Sequence, residues 1–151
     1  MVFVKLKKAP SEIQGFGCFA GEKISRGTVI AYWADPEECW ILSAEAHRKK
    51  FKKKSVRTLK TAVRLMGDLY VQAHPWDVKD PTDFMNHSDK PNVGYAGGLM
   101  FALKDIARGV EMLMDYRLLN AHYEVDVVRG HSAKKQLKAS AKQVRRAFKA
   151  Q

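Results

Sequence analysis

Glycine stands at nearly every break between short alternating or β-branched runs of this sequence. That punctuation limits the fold to one built mostly of short strands. Val2 to Leu6 alternates and predicts a strand. Gly15-Phe16-Gly17 makes a turn into a second run, Cys18 to Ala20. Gly27 precedes Thr28 to Trp33, a β-branched and aromatic strand closed off by Pro36. Gly67-Asp68 turns into Leu69 to Ala73. Asn92 to Ala96 and Leu99 to Leu103 predict a hairpin across Gly97-Gly98, and Gly109 leads into Met112 to Asp115.

Helical spacing is confined to two places. Ser43, with Glu45 and Ala46 behind it, marks a helix start. The polar, basic stretch to Arg64 carries Val56, Leu59 and Val63 at i, i+3 and i+7. The second is the tail, where Leu137, Ala141, Val144 and Phe148 form an apolar stripe. Between them, His74 to Lys90 is long and irregular, with Pro75 and Pro81. Loops of that length in a compact domain are mostly functional or disordered. The expected class is mainly β with α (α+β). One domain spans 1–118, with a basic helical insert at about 43–66, and a basic helical tail covers 119–151.

The length, 151 residues, fits one domain, and 46% hydrophobic residues can supply a core. No apolar run approaches the roughly 20 residues that span a bilayer, and Met1 to Lys8 has no signal-peptide core, so an intracellular protein is expected. Cys18 and Cys39 are the only cysteines, too few for a disulfide framework or a CxxC-type zinc site. The net charge of +11 is uneven. Nine bases and no acid lie between Glu45 and Asp68, and eight more bases follow Asp126, again without an acid. The remaining chain has ten bases against 16 acids. Two basic segments on a mildly acidic body imply an acidic partner, or else simply a solvated surface.

Three strings stand in order along the chain. They are Gly15-Phe16-Gly17-Cys18-Phe19-Ala20, then Asp83-Phe84-Met85-Asn86-His87-Ser88 with Pro91-Asn92, then Gly109-Val110-Glu111-Met112 with Asp115-Tyr116. Together they resemble the SET-domain family of protein-lysine methyltransferases, from about Val2 to Leu118. The resemblance implies a fold of several short-stranded sheets. In it the chain near Asp115 and Tyr116 passes the Asn86-His87 segment in a knot-like crossing. It implies S-adenosylmethionine as cofactor and S-adenosylhomocysteine as product. Gly15, Phe16, Gly17, Asn86, His87 and Tyr116 would hold the cofactor, and Tyr116 matches the catalytic tyrosine. Trp33, Tyr95 and Met114 would line the lysine channel, although Trp33 and Tyr95 fit equally well as strand-core aromatics.

The sequence departs from the family in three places. Asp89 replaces a common cysteine and the tail has no cysteine cluster, so no metal is expected and the tail helix becomes the candidate to close the channel. Met114 stands where an aromatic is frequent. Asp83 stands where an arginine is usual. The implied activity is methyl transfer to a lysine side-chain amine in a protein, with histones and nucleic-acid-associated proteins as candidate substrates. Residues 48–64 and 129–149 would meet nucleic acid or an acidic protein surface, with no membrane partner. The compartment would be cytoplasmic for a bacterial source and nuclear for a viral or eukaryotic one. Two other readings stay open: a non-catalytic binding module of the same fold, and a basic nucleic-acid-binding protein.

Overall fold

A computed structural model describes residues 1–37, 39–51, 63–66, 69–74, 80–119 and 133–149. Its larger sheet begins with a hairpin. Strands β1 (Leu6–Pro10) and β2 (Phe16–Ala20) pair antiparallel from Leu6↔Ala20 to Pro10↔Phe16. Strand β3 (Val29–Tyr32) pairs antiparallel with β9 (Leu99–Ala102), which is itself hairpinned to β8 (Val93–Ala96). The β8–β9 hairpin closes across Gly97-Gly98, both at positive φ as a tight two-residue connection requires.

The last strand in sequence, β10 (Glu111–Met114), takes the middle of this sheet. It runs antiparallel to β2, and parallel to β8 and to the two-residue β7 (Asn86–His87). Buried Asn92 stitches this junction. Its amide nitrogen donates to the Glu111 carbonyl at 2.8 Å and its amide oxygen accepts from the Leu113 N–H at 2.7 Å. A side chain here replaces a missing strand neighbour. Cys18, Ile30, Val93, Met100, Met112 and Met114 form the core beneath, all fully buried.

A second, smaller sheet has the order β4-β6-β5, from β4 (Cys39–Ser43), β5 (Val63–Met66) and β6 (Leu69–Ala73). Helix α1 (Ala44–Phe51) follows β4 directly, with the Ser43 hydroxyl accepting from the Ala46 N–H at 3.1 Å. A 3-10 turn at Pro81–Phe84, a single helical turn α2 (Tyr116–Leu119) and the tail helix α3 (Ala133–Phe148) complete the chain. Among the described residues no helix is long and apolar enough to cross a membrane.

The β-rich class holds, and several boundaries move. The first strand is Leu6–Pro10 rather than Val2 to Leu6. Val2 makes only a bridge to Ala31. The alternation of Val2, Val4 and Leu6 is real, but it records three side chains packed on the core rather than a paired strand. Cys39–Ser43 is a strand that Pro36 masked in the sequence. The helical spacing through Val63 fails, because Val63 opens β5 and pairs with Val71. Val56 and Leu59 lie outside the described residues. The tail stripe is also rotated. Ala141, Val144 and Phe148 are exposed, while Ala147 is buried on Phe101 and Leu103. The side chain of Leu137 lies outside the described residues.

Candidate active site

The turn between β1 and β2 is built to be held from the far side of the sheet. Gly15 adopts φ +51°, a left-handed conformation that side chains resist, and its carbonyl accepts from the Ser11 N–H at 2.9 Å. Glu111, on β10, reaches this turn with both carboxylate oxygens. One accepts from the Ser11 hydroxyl at 3.0 Å, the other from the Asn86 amide at 2.9 Å. The same Asn86 nitrogen also lies within 3.0 Å of Ser11 Oγ, 3.3 Å of the Phe16 carbonyl and 3.4 Å of the Gln14 carbonyl. Gly17 is where this hub comes closest to the backbone. A Cβ there would meet the Glu111 carboxylate oxygen at 2.2 Å. Its glycine is therefore explained by a protein neighbour.

Beside this turn lies a pocket of about 290 Å³, lined by Gln14, Gly15, Phe16, Asp83, Phe84, Met85, Asn86 and Tyr116. Phe16 and Phe84 meet edge to face at 6.4 Å, and Lys8 Nζ sits over both rings at 4.4 and 3.9 Å. Four of the six residues expected to bind a cofactor thus line one pocket. Gly17 and His87 are not among its lining residues.

Tyr116 is fixed by three contacts. Its hydroxyl donates to the Met85 carbonyl at 2.5 Å. Its N–H donates to His87 Nδ1 at 3.2 Å, and the two rings lie 5.3 Å apart. Asp115 starts the helical turn by accepting from the Arg117 N–H at 3.0 Å. An Nδ1 that accepts leaves the proton of a neutral His87 on Nε2, which points toward Asp89 at 3.7 Å. His87 therefore positions Tyr116 from behind. Burial pushes the Tyr116 phenol above its ordinary pKa, so it stays neutral at physiological pH.

Of the three residues expected in a lysine channel, Tyr95 and Met114 belong to the main core, and Trp33, like Tyr116, packs against it. Trp33 and Tyr95 lie 6.2 Å apart. The Trp33 indole donates to the Thr82 hydroxyl at 2.9 Å, and Thr82 in turn donates to Asp80. Tyr95 and Met114 are fully buried, and burial pushes the Tyr95 phenol pKa up.

The sequence carried no role for Ser11, Gln14 or Glu111, nor for Asp83, Phe84 and Met85 in the pocket wall. Glu111 and the Asp83-Phe84-Met85 string stood inside quoted motifs and could have been assigned. Ser11 has no signal, because its contact spans 100 positions. Among the described residues no group of three or more His, Cys, Asp or Glu could hold a metal ion.

A sequence model of the SET domain matches residues 15–117. No curated protein matches the chain. Among solved structures, the fold is similar to a Plasmodium falciparum protein described as a histone methyltransferase. That similarity has a TM-score of 0.50 and 16% identity, over 76% of this chain and 95% of that one. It is also similar to the Neurospora SET domain protein DIM-5, a histone lysine methyltransferase. There the TM-score is 0.56 and the identity 21%, over 76% of this chain and 53% of the other. The chain spans about half of that Neurospora structure.

Proposed function

The chain belongs to the SET-domain family, and on that premise we propose that it is an S-adenosylmethionine-dependent protein-lysine methyltransferase. The observation that carries this reading is the situation of Tyr116. It lines the pocket with Gly15, Phe16 and Asn86, and, like Trp33, it packs against the main core that contains Tyr95 and Met114. One residue therefore borders both a ligand-sized pocket and the apolar core, which supports a reading of transfer from a bound donor to a lysine.

The pocket residues fit the cofactor. Its volume is close to the lower bound for small-molecule sites, roughly 300 Å³. A Cβ at Gly15 would meet no protein atom within 4 Å, so the bare backbone leaves that space open at the pocket wall. Phe16 and Phe84 give the pocket wall an aromatic lining suited to a flat base. When bound, S-adenosylmethionine supplies an electrophilic methyl group on a sulfonium and leaves as S-adenosylhomocysteine.

The chain's own residues then have three tasks. The apolar core to which Trp33, Tyr95 and Met114 contribute would exclude water, which disfavours the ammonium form of an entering lysine and lowers its pKa from about 10.4. Tyr116 has its proton committed to the Met85 carbonyl, so its oxygen offers lone pairs to an amine N–H and aims the nitrogen. Its raised pKa makes it an orienting group rather than a base. The Met85 bond to its hydroxyl and the His87 bond to its N–H hold Tyr116 in one place, which is catalysis by orientation.

The substrate is proposed to be a nucleic-acid-associated protein, histones included, inside the cell. Lys142, Arg145, Arg146 and Lys149 are exposed on or just after α3, which carries no acid. The test is incubation with labelled S-adenosylmethionine, histones and a host lysate, read by mass spectrometry. Methyl-lysine on a protein is expected. Its absence from every substrate, with the folded enzyme confirmed, would overturn the reading.

A further inference from the structure

Strand β8 carries Tyr95 and is only partly covered by β10. The two strands pair at Met114↔Val93, after which β10 ends and the chain turns into α2. On the other side, Ala96↔Leu99 closes the two-residue hairpin. In such a hairpin the next pair, Tyr95↔Met100, turns its N–H away from β9. The Tyr95 N–H therefore faces the side that β10 has left. It is met there by the tail helix, where Gln143 Oε1 accepts it at 3.0 Å.

The far end of the helix has its own anchors. Ala147 is buried on Phe101 and Leu103, the Phe148 ring lies 5.4 Å from Phe101, and Arg26 Nε donates to the Ala147 carbonyl at 3.1 Å. Gln143 is thus not needed to attach the helix. Among the described residues, its amide oxygen accepts from the Tyr95 N–H and so holds the backbone there.

We propose that Gln143 is a positioning residue of the active site. By holding the Tyr95 N–H it sets the Tyr95 ring against Trp33, in the core on which Tyr116 also packs. The tail helix, which lies beyond the matched residues 15–117, then forms part of the machinery rather than an appendage. The role rests on the methyltransferase reading, while the hydrogen bond can be tested without it.

The experiment uses the full chain with four substitutions. Gln143→Leu keeps size and removes the acceptor, and Gln143→Glu keeps an acceptor at the same reach. Gln143→Asn is one methylene shorter and serves if Gln143→Leu does not fold. Phe148→Ala loosens the helix elsewhere. The readouts are amide hydrogen exchange at Tyr95, kcat/KM, and the ratio of mono-, di- and trimethyl-lysine at matched substrate conversion, where a merely smaller folded fraction leaves it unchanged. Gln143→Leu or Gln143→Asn is expected to speed exchange at Tyr95, shift the product ratio, and lower kcat/KM on the order of 10- to 100-fold. Gln143→Glu is expected to restore all three, and Phe148→Ala to lower Tm with the ratio unchanged. Wild-type exchange at Tyr95 in the Leu and Asn variants would remove the bond. Unchanged ratio and kcat/KM in those variants, or an altered ratio in Phe148→Ala, would remove the positioning role. A wild-type chain with no methyl transfer would overturn the methyltransferase reading and the role with it, leaving the exchange result to decide the bond alone.

Discussion

At the scale of single residues, Tyr116 and Cys18 carry the clearest consequences. Tyr116→Phe removes the oxygen that would orient an amine and leaves the aromatic ring in the pocket wall. Turnover is expected to fall on the order of 10²-fold, with cofactor affinity nearly unchanged by calorimetry. The substitution also leaves the buried Met85 carbonyl without its donor, so a stability loss of roughly 1–3 kcal/mol should accompany it in denaturant titrations. Cys18 makes a different prediction. Burial first, and then the negative charges of Asp80 and Glu111, push its thiol from 9.0 up to about 12. A raised folded pKa means that the folded state holds its proton more tightly than the unfolded chain. The associated stability is complete below pH 9 and is lost as pH rises toward 12, by up to about 4 kcal/mol. Unfolding free energy measured across that window should slope downward, and Cys18→Ala should flatten the slope. An unchanged slope would assign the alkaline loss to another group.

At the scale of elements, the tail helix ends on a cation. Arg26 Nε and Nη2 donate to the carbonyls of Ala147 and Lys149 at 3.1 and 3.3 Å, where a helix leaves acceptors unsatisfied. Arg26→Ala should cost roughly 1 kcal/mol in chemical denaturation. It should leave the hydrogen bond between Gln143 and Tyr95 in place. A loss below 0.3 kcal/mol, roughly the smallest such effect, would mean that the helix end is satisfied by water instead. Much of this element plan could be read in advance. The hairpin over Gly97-Gly98, the strand before Trp33 and the strand after Gly67-Asp68 each combine β-branched or aromatic runs with glycine breaks, and each is present. Gly15, Phe16, Asn86 and Tyr116 were legible because they stand in contiguous motifs, and the fold gathers them at one pocket. What stayed hidden depends on partners distant in sequence. Leu6–Pro10 is a strand only because β2 lies beside it, and Val63 is a strand only because β6 does. Gln143 carries no signal in the sequence, since nothing local marks a contact 48 positions away.

At the scale of the whole molecule, charge and topology govern behaviour. The net charge of +11 sits largely in two segments, and the described end of the tail presents Lys142, Arg145, Arg146 and Lys149 to solvent. Activity on a substrate bound to duplex DNA should fall with salt, with a logarithmic slope of roughly −0.9 per phosphate neutralised. Activity on the free peptide should barely change. Equal salt sensitivity on both substrates would leave the basic residues as ordinary solvated surface. Topology sets a different constraint, one of timing. Because β10 lies between β2 and β8, those two strands lack their shared neighbour until residues 111–114 are present, although Val2 already bridges to Ala31 of β3. A ribosome makes those residues after every other strand of the sheet. Until they emerge, β2 and β8 each present an open edge, the feature that invites pairing with other chains. The nascent protein is therefore most vulnerable until β10 has emerged, and its yield in a cell should depend on chaperone supply and translation speed as well as on the stability of the finished fold.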